Sequence, residues 1–301
     1  MFENPFRHPG NWYRANLHAH TTSSDGDLSP ADCAEFYRAA GYQVLAITDH
    51  WHIADPTSPG LASLPSDFLV IPGAELDGGR TAQATNFHIV GLNMRSRGRI
   101  EHPGGTAQQI VDFIRADGGE VIIAHPYWSG LMAIEIAPIT GVFAVEVYNT
   151  GCDLEILRGF SMVHWDDLLS LGRDIGAVAV DDGHHHQVDH GLGWTMIRAE
   201  ELSIPAIIDA LLKGRYYSST GPEIKEARIA AGRLRVKTSP VRSIAVVSVP
   251  GRGARAFGRN GRNITTAEFD LPSRGRYCRI EATDRDGKIA WSNPILLPAA
   301  T

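Results

Sequence analysis

The stretch from Asn16 to His50, NLHAHTTSSDGDLSPADCAEFYRAAGYQVLAITDH, decides how this 301-residue chain is read. An apolar run ends in His18-Ala19-His20, and a second ends in Thr48-Asp49-His50, with a polar loop and a helix-like segment between them. Side chains two apart on a strand share a face, so His18 and His20 converge where a strand runs out. Strand, helix and strand, each strand delivering imidazole or carboxylate at its C-terminal end, is the layout of a barrel active site. The stretch predicts the start of a metal centre.

The same rhythm continues along the chain. Ser29 is an N-cap candidate and Pro30 fits the first helical position, while Cys33, Phe36, Tyr37 and Ala40 form one apolar stripe before Gly41. Val44–Ile47 is too apolar for a half-exposed strand. Phe68–Ala74 leads into Glu75, Phe87–Leu92 carries His88, Val121–Ala124 ends at His125-Pro126, and Ala177–Val180 ends in Asp181-Asp182-Gly183-His184. Helices are predicted over Thr106–Ala116, Ile156–Leu171 and Ile204–Leu212. The alternation predicts an α/β fold with a parallel sheet closed as a barrel over residues 1–222. After Tyr216-Tyr217-Ser218-Ser219-Thr220-Gly221-Pro222 the pattern changes to short β-like runs, predicting a small all-β sandwich domain over residues 223–301.

Nine residues are candidate metal ligands: His18, His20, Asp25, His50, Glu75, His88, His125, Asp182 and His184. Singly, each reads as an ordinary strand-end or loop residue. Jointly, imidazole or carboxylate follows six separate apolar strands at the same end. Histidine with carboxylate and no thiolate suits Zn, Mn or Fe. Nine ligands are too many for one ion and about right for three, with Glu75 bridging two. Asp181 and Asp182 are adjacent and point to opposite faces. The Asp-x-His spacing to His184 favours Asp182, leaving Asp181 as a supporting or a structural residue. Asp49 is the candidate carboxylate for orienting a ligating imidazole.

The motifs HAHTTSSDG, ITDH, GAELD, FHIVGL, AHP and DDGH, taken in that order, resemble those of the PHP (polymerase and histidinol phosphatase) superfamily over residues 14–190. The resemblance implies a distorted (β/α)7 barrel and a metal-dependent phosphoesterase. It implies one ion on His18, His20, Glu75 and Asp182, a second on Glu75, His88 and His125, and a third on Asp25, His50 and His184. The segment 214–222 and the run Ala290–Pro294 are similar to a branch that includes carbaryl-hydrolase-like enzymes. The expected reaction is attack on a small phosphate mono- or diester by metal-activated hydroxide, with Glu75, His50 and Asp182 at the reacting centre. The alternative is amide, carbamate or ester hydrolysis on the same metals. Outer candidates each have a bland reading beside the functional one. Arg80 reads as a phosphate contact or a surface arginine, and Tyr127, with Trp128, as a pocket wall or packing. His52 reads as a proton donor or a bystander, and Asn149 as a substrate contact or not.

Composition narrows the alternatives. Residues 224–301 hold 15 Lys/Arg against 6 Asp/Glu, and residues 1–223 hold 13 against 28, while all 13 histidines lie within the first 190 residues. The basic segment 251–263 (GRGARAFGRNGRN) lacks the Lys-Ser/Thr and helix of a phosphate loop and reads as a hairpin loop. Its arginines, Arg252, Arg255, Arg259 and Arg262, lack interleaved aromatics, which argues against nucleic acid beyond small nucleotides as a partner. A small anionic substrate is the expected partner. Three scattered cysteines argue against a disulfide framework, and the N-terminus has no apolar leader, so a soluble cytoplasmic protein with no membrane contact is expected.

Overall fold

The computed structural model describes residues 2–272 and 275–297. Seven strands form the half of the molecule that carries the histidines: β1 (Asn11–Asn16), β2 (Val44–Ile47), β3 (Leu69–Arg80), β4 (Asn86–Leu92), β5 (Glu120–Ile123), β6 (Val142–Asn149) and β7 (Gly176–Val180). They are hydrogen-bonded in that order. Helix α1 (Pro30–Ala39) joins β1 to β2, α2 (Ala107–Ala116) joins β4 to β5, and α3 (Thr150–Ile156) and α4 (Met162–Ser170) join β6 to β7. The helix starts follow their sequences. Ser29 accepts a hydrogen bond from the Asp32 amide ahead of Pro30, and Thr106 and Gln109 form a reciprocal capping box.

The all-parallel expectation fails at one place. β3 and β4 are antiparallel, as are β4 and β5, whereas β1–β2, β2–β3, β5–β6 and β6–β7 are parallel. Only residues 81–85 separate β3 from β4, too few for a parallel crossover, which needs a dozen or more. The consequence for the site is favourable. With β4 reversed, its beginning, which carries His88, lies at the same end of the sheet as the C-termini of the parallel strands. Glu75, expected beyond its strand, sits inside β3 because that strand runs on into the hairpin.

One apolar cluster draws on all seven strands, from Ala15 and Leu17 through Val44, Ile71, Val90, Ile122 and Ala144 to Val178 and Val180. Beyond the strand ends, the Asp182 amide donates to His18 O (2.9 Å) and the His20 amide to Gly183 O (3.0 Å). The chain after β7 is thereby laid against the chain after β1. Among the described residues no strand ladder joins β7 to β1. The free edge of β1 is instead taken by β8 (Trp194–Ala199), antiparallel, which pairs with β9 (Tyr216–Ser219). The segments after β1 and β7 meet at a parallel bridge between Ala19 and Gly183, while the other edge of β1 carries this extended ladder, with α5 (Ile204–Leu212) linking β8 and β9.

That ladder passes straight through the expected boundary at residue 222. The chain continues as β10 (Ile224–Ala230), β11 (Arg233–Val241), β12 (Ser243–Val247), β13 (Gly253–Phe257), β14 (Ile264–Asp270), β15 (Tyr277–Thr283) and β16 (Ile289–Ser292). β9 pairs β16, then β15, β12 and β13 follow in one sheet, while β10, β11 and β14 make a separate three-stranded sheet. Residues of both, among them Val236, Phe269, Ile244 and Ile280, share a core. The basic C-terminal region thus shares a sheet with the first half rather than standing alone. The helix expected over Ile156–Leu171 starts only at Met162 as α4, because α3 ends at Ile156, Leu157 turns left-handed (φ 59°) and Gly159 passes so close to Asn149 O that a Cβ there would lie 2.4 Å from it. No helix among the described residues is long and apolar enough to cross a membrane.

Candidate metal centre

All nine candidate ligands meet at one end of the sheet. His18 and His20 lie on the extended segment just after β1 and are fully buried. Glu75 comes from β3, His88 from β4, His125 from the turn after β5, His50 from the turn after β2, and Asp182 and His184 from the turn after β7. His125 (φ 25°) and Asp182 (φ 52°) hold left-handed backbone angles that β-region residues avoid, a strain typical of functional positions.

Glu75 is the hub. Its Oε2 lies 3.3 Å from His18 Nε2, 3.2 Å from His20 Nε2 and 3.4 Å from His50 Nδ1, while its Oε1 lies 2.8 Å from His88 Nδ1 and 3.1 Å from His125 Nε2. Asp182 Oδ1 completes the first set, at 3.3 Å from His18 Nε2 and 3.1 Å from His20 Nε2. A third set gathers on Asp25: its Oδ2 is 3.6 Å from His50 Nε2 and 3.5 Å from His184 Nε2, and its Oδ1 is 3.3 Å from His20 Nδ1. In each of three groups, His18/His20/Glu75/Asp182, Glu75/His88/His125 and His20/Asp25/His50/His184, ligand atoms lie within 4.8 Å of one another. The third group gains His20, which offers its other ring nitrogen there.

The donor chemistry fits cations. His18 Nε2 and His20 Nε2 face each other at 3.1 Å, and Asp182 Oδ1, although buried, has no well-aligned hydrogen-bond partner. Lone pairs turned on a common point, without donors, are what an ion satisfies. The charge balance says the same. Burial opposes the cationic form of His18 and His20, yet Asp182, Glu146, Asp25 and Glu75 outweigh it and hold both imidazoles well above the ordinary histidine range. Burial likewise opposes ionised Glu75 and Asp182, and the neighbouring imidazoles hold both well below the carboxylate range. Without cations, protons on the rings balance the acids.

The supporting residues differ from expectation at Asp49 and Asn149. Asp49 orients no imidazole: it accepts from the Thr21 amide and hydroxyl (both 2.7 Å) and from Ser24 Oγ (2.7 Å), pinning the loop that carries Asp25. The carboxylate behind His18 is Glu146, inside β6, whose Oε1 accepts from Nδ1 at 2.7 Å. Its Oε2 accepts from the His125 amide and from Asn149 Nδ2, both at 2.8 Å. Asn149, open in sequence between touching substrate and not, is fully buried and also donates to Asp182 Oδ2 (3.0 Å), so it positions a candidate ligand. Asp181 is structural, accepting from the amides of Gly191 (2.7 Å), Leu192 (3.0 Å) and Gly193 (2.9 Å).

Three other outer candidates fall away from the cluster. Arg80 is exposed and lines a different cavity with Phe87 and Thr106. It stands at the last position of β3, against the hairpin loop. Tyr127 is 41% exposed and packs beside Arg158, whereas the next residue, Trp128, sets its ring edge-on to His88 (centroids 5.6 Å apart) and His125 (5.0 Å) and lines the cleft. His52 lies in a neighbouring groove with Arg99 and His102, which shares Asp25 and His50 with the cleft. The cleft itself, about 350 Å³ and open to solvent, is also lined by Cys152 and Glu155. Neither was singled out from sequence, since their helix follows a strand with no motif spacing.

No protein-family model matches the chain. Over 92 residues it is 36% identical to a 5′-3′ exoribonuclease of Haemophilus influenzae, a match that spans 31% of this chain and 31% of that protein. A two-domain protein of Bacteroides vulgatus, containing a predicted PHP-like metal-dependent phosphoesterase, superposes with a TM-score of 0.54 at 13% identity, covering 98% of this chain and 99% of that one. An amidohydrolase of Chromobacterium violaceum gives a TM-score of 0.45 at 17% identity, over 67% and 96% of the two chains. The end-to-end superposition, reached with almost no shared sequence, shows that this chain has the PHP-like fold with a second, β-rich region attached.

Proposed function

We propose that this protein is a metal-dependent phosphoesterase acting on small phosphate mono- or diesters. The observation that carries the reading is the division of Glu75, one oxygen turned to His18, His20 and His50 and the other to His88 and His125. Such a carboxylate would be shared by two ions. The first ion would be held by His18, His20, Glu75 and Asp182, and the second by Glu75, His88 and His125. The third would be held by Asp25, His50 and His184, with His20 Nδ1 alongside. Divalent Zn, Mn or Fe in such a cluster polarises a phosphoryl oxygen and lowers the pKa of water.

The chain's own contribution is placement. Glu146 holds the Nδ1 proton of His18, so that Nε2 is free to ligate. Asn149 fixes Asp182, Asp49 anchors the Asp25 loop, and the Trp128 ring walls the cleft beside His88 and His125. A cluster of cations favours a substrate whose anionic oxygens meet several of them, hence a small phosphate ester as partner. Residues 1–222 would carry this chemistry in the cytoplasm.

The test is parallel turnover of a chromogenic phosphate monoester, a phosphodiester, a short single-stranded oligonucleotide and an aryl carbamate, before and after chelation. Phosphate ester turnover that disappears on chelation and returns with Mn or Zn is expected. A rate unchanged in protein shown to be metal-free by elemental analysis, or turnover of the carbamate alone, overturns the proposal.

A further inference from the structure

We propose that Cys152 donates a sulfur ligand to the ion bound beside His125 and Asp182, an inference that rests on the metal centre argued above. All three cysteines are buried, but they sit in different surroundings. Cys33 places its sulfur 3.7 Å from His185 Nε2, Cys278 lies in the core shared by the two C-terminal sheets, and Cys152 lines the metal cleft. Its position is built rather than incidental. The Asn149 side chain that fixes Asp182 also accepts from the Cys152 amide (2.9 Å), so one residue sets both the carboxylate and the turn that presents the thiol. The Cys152 sulfur, a ring nitrogen of His125 and a carboxylate oxygen of Asp182 lie within 4.8 Å of one another. A sulfur and a nitrogen bound to one tetrahedral ion, at about 2.3 and 2.0 Å from it, would stand within that span.

A second observation points the same way. Asp182, 6% exposed and lining the same cleft, turns Oδ1 to His18 and His20 and brings Oδ2 to 3.9 Å from His125 Nε2. The set Glu75, His88 and His125 offers only three protein donors, and His125 is the residue it shares with the group His125, Cys152 and Asp182. As the sulfur–metal bond forms, the thiol proton leaves to solvent, because a coordinating thiol is deprotonated. A soft sulfur donor would bias this position towards Zn or Fe and away from Mn. The sequence hides this ligand because its cysteine has no partner at a recognisable metal-binding spacing.

The test is cobalt substitution of the metal-free full-length protein, reading cobalt content by elemental analysis and sulfur-to-cobalt charge-transfer absorption in the near ultraviolet. The band is expected in the wild type and in Cys278→Ala, and is expected to be lost in Cys152→Ser while that variant still retains cobalt. A cobalt-loaded wild type with no band, or a band that persists in Cys152→Ser, overturns the inference. A wild type that retains no cobalt overturns the metal centre itself. Cadmium-113 NMR of the wild type needs no variant: a sulfur-ligated resonance is expected, and resonances confined to the oxygen and nitrogen range overturn the assignment.

Discussion

Replacing Glu146 by Gln keeps the shape of the side chain and removes one acceptor. Three donors converge on the two oxygens of Glu146: His18 Nδ1 on Oε1, and the His125 amide and Asn149 Nδ2 on Oε2. A glutamine has one acceptor oxygen and one NH₂. Its better orientation puts the oxygen where two donors meet and the NH₂ against His18 Nδ1. His18 must then carry its proton on Nε2, the nitrogen that faces Glu75 and Asp182 at 3.3 Å each. A protonated Nε2 cannot ligate, so metal binding has to restore the less favourable tautomer against an NH₂–NH clash. Loss of a residue supporting a ligating histidine typically costs 10–100-fold in metal affinity, or about 1.4–2.8 kcal/mol. The assay is competition for Zn or Co against a chromogenic chelator, with activity measured at saturating metal. Glu146→Gln is expected to weaken the tightest site by at least about 10-fold, within the same range. An affinity within about 2-fold of wild type would refute the claim that this carboxylate sets the His18 tautomer.

Four further outcomes follow from the geometry. His18, His20, His88 and His184 all have raised pKa values, so the metal-free site holds protons above pH 6.5 that cations must displace. Apparent metal affinity should therefore rise with pH, with proton release detectable in weakly buffered titrations, and an affinity flat from pH 6 to 9 contradicts this. By the same sign, these raised imidazoles stabilise the metal-free fold fully below pH 6.5 and progressively less as pH climbs through their folded values. Thermal melts of chelated protein should accordingly fall on the alkaline side, while loaded protein resists the fall. Asp181→Asn should destabilise the fold by about 1.5–3 kcal/mol, read by urea unfolding of metal-free protein, since an amide cannot accept from the three amides gathered there. Arg80→Ala should leave activity within about 2-fold, because an exposed side chain outside the cleft contributes little, and a large loss would return it to the site.

What could be read from the chain, and what could not, divides along a physical line. Strand-end histidines and acids announce themselves because a ligand must be of one residue type at one place on an alternating strand, so His18, His20, His125 and Asp182 were legible. Residues that act on ligands rather than on ions left no such mark. Glu146 sits within the apolar run of β6 and Asn149 at its end, and nothing about either reveals which histidine or carboxylate it will face once β6 lies beside β5 and β7. Topology was hidden for a similar reason. Apolar runs predict strands but not their direction, and a loop of residues 81–85 is what forces β4 to run backwards and delivers His88 from a strand's beginning. The edge pairing of β8 with β1 was equally invisible, because a ladder's continuation depends on which free edge is nearest in space. Arg80 makes the complementary point: its neighbour in sequence is the glycine-rich stretch after Glu75, yet it stands at the far end of β3 and lines a different cavity. Closeness along the chain is a poor guide to the site, whereas a shared sheet end is a good one. That rule also places Cys152, three residues past Asn149, at the cleft.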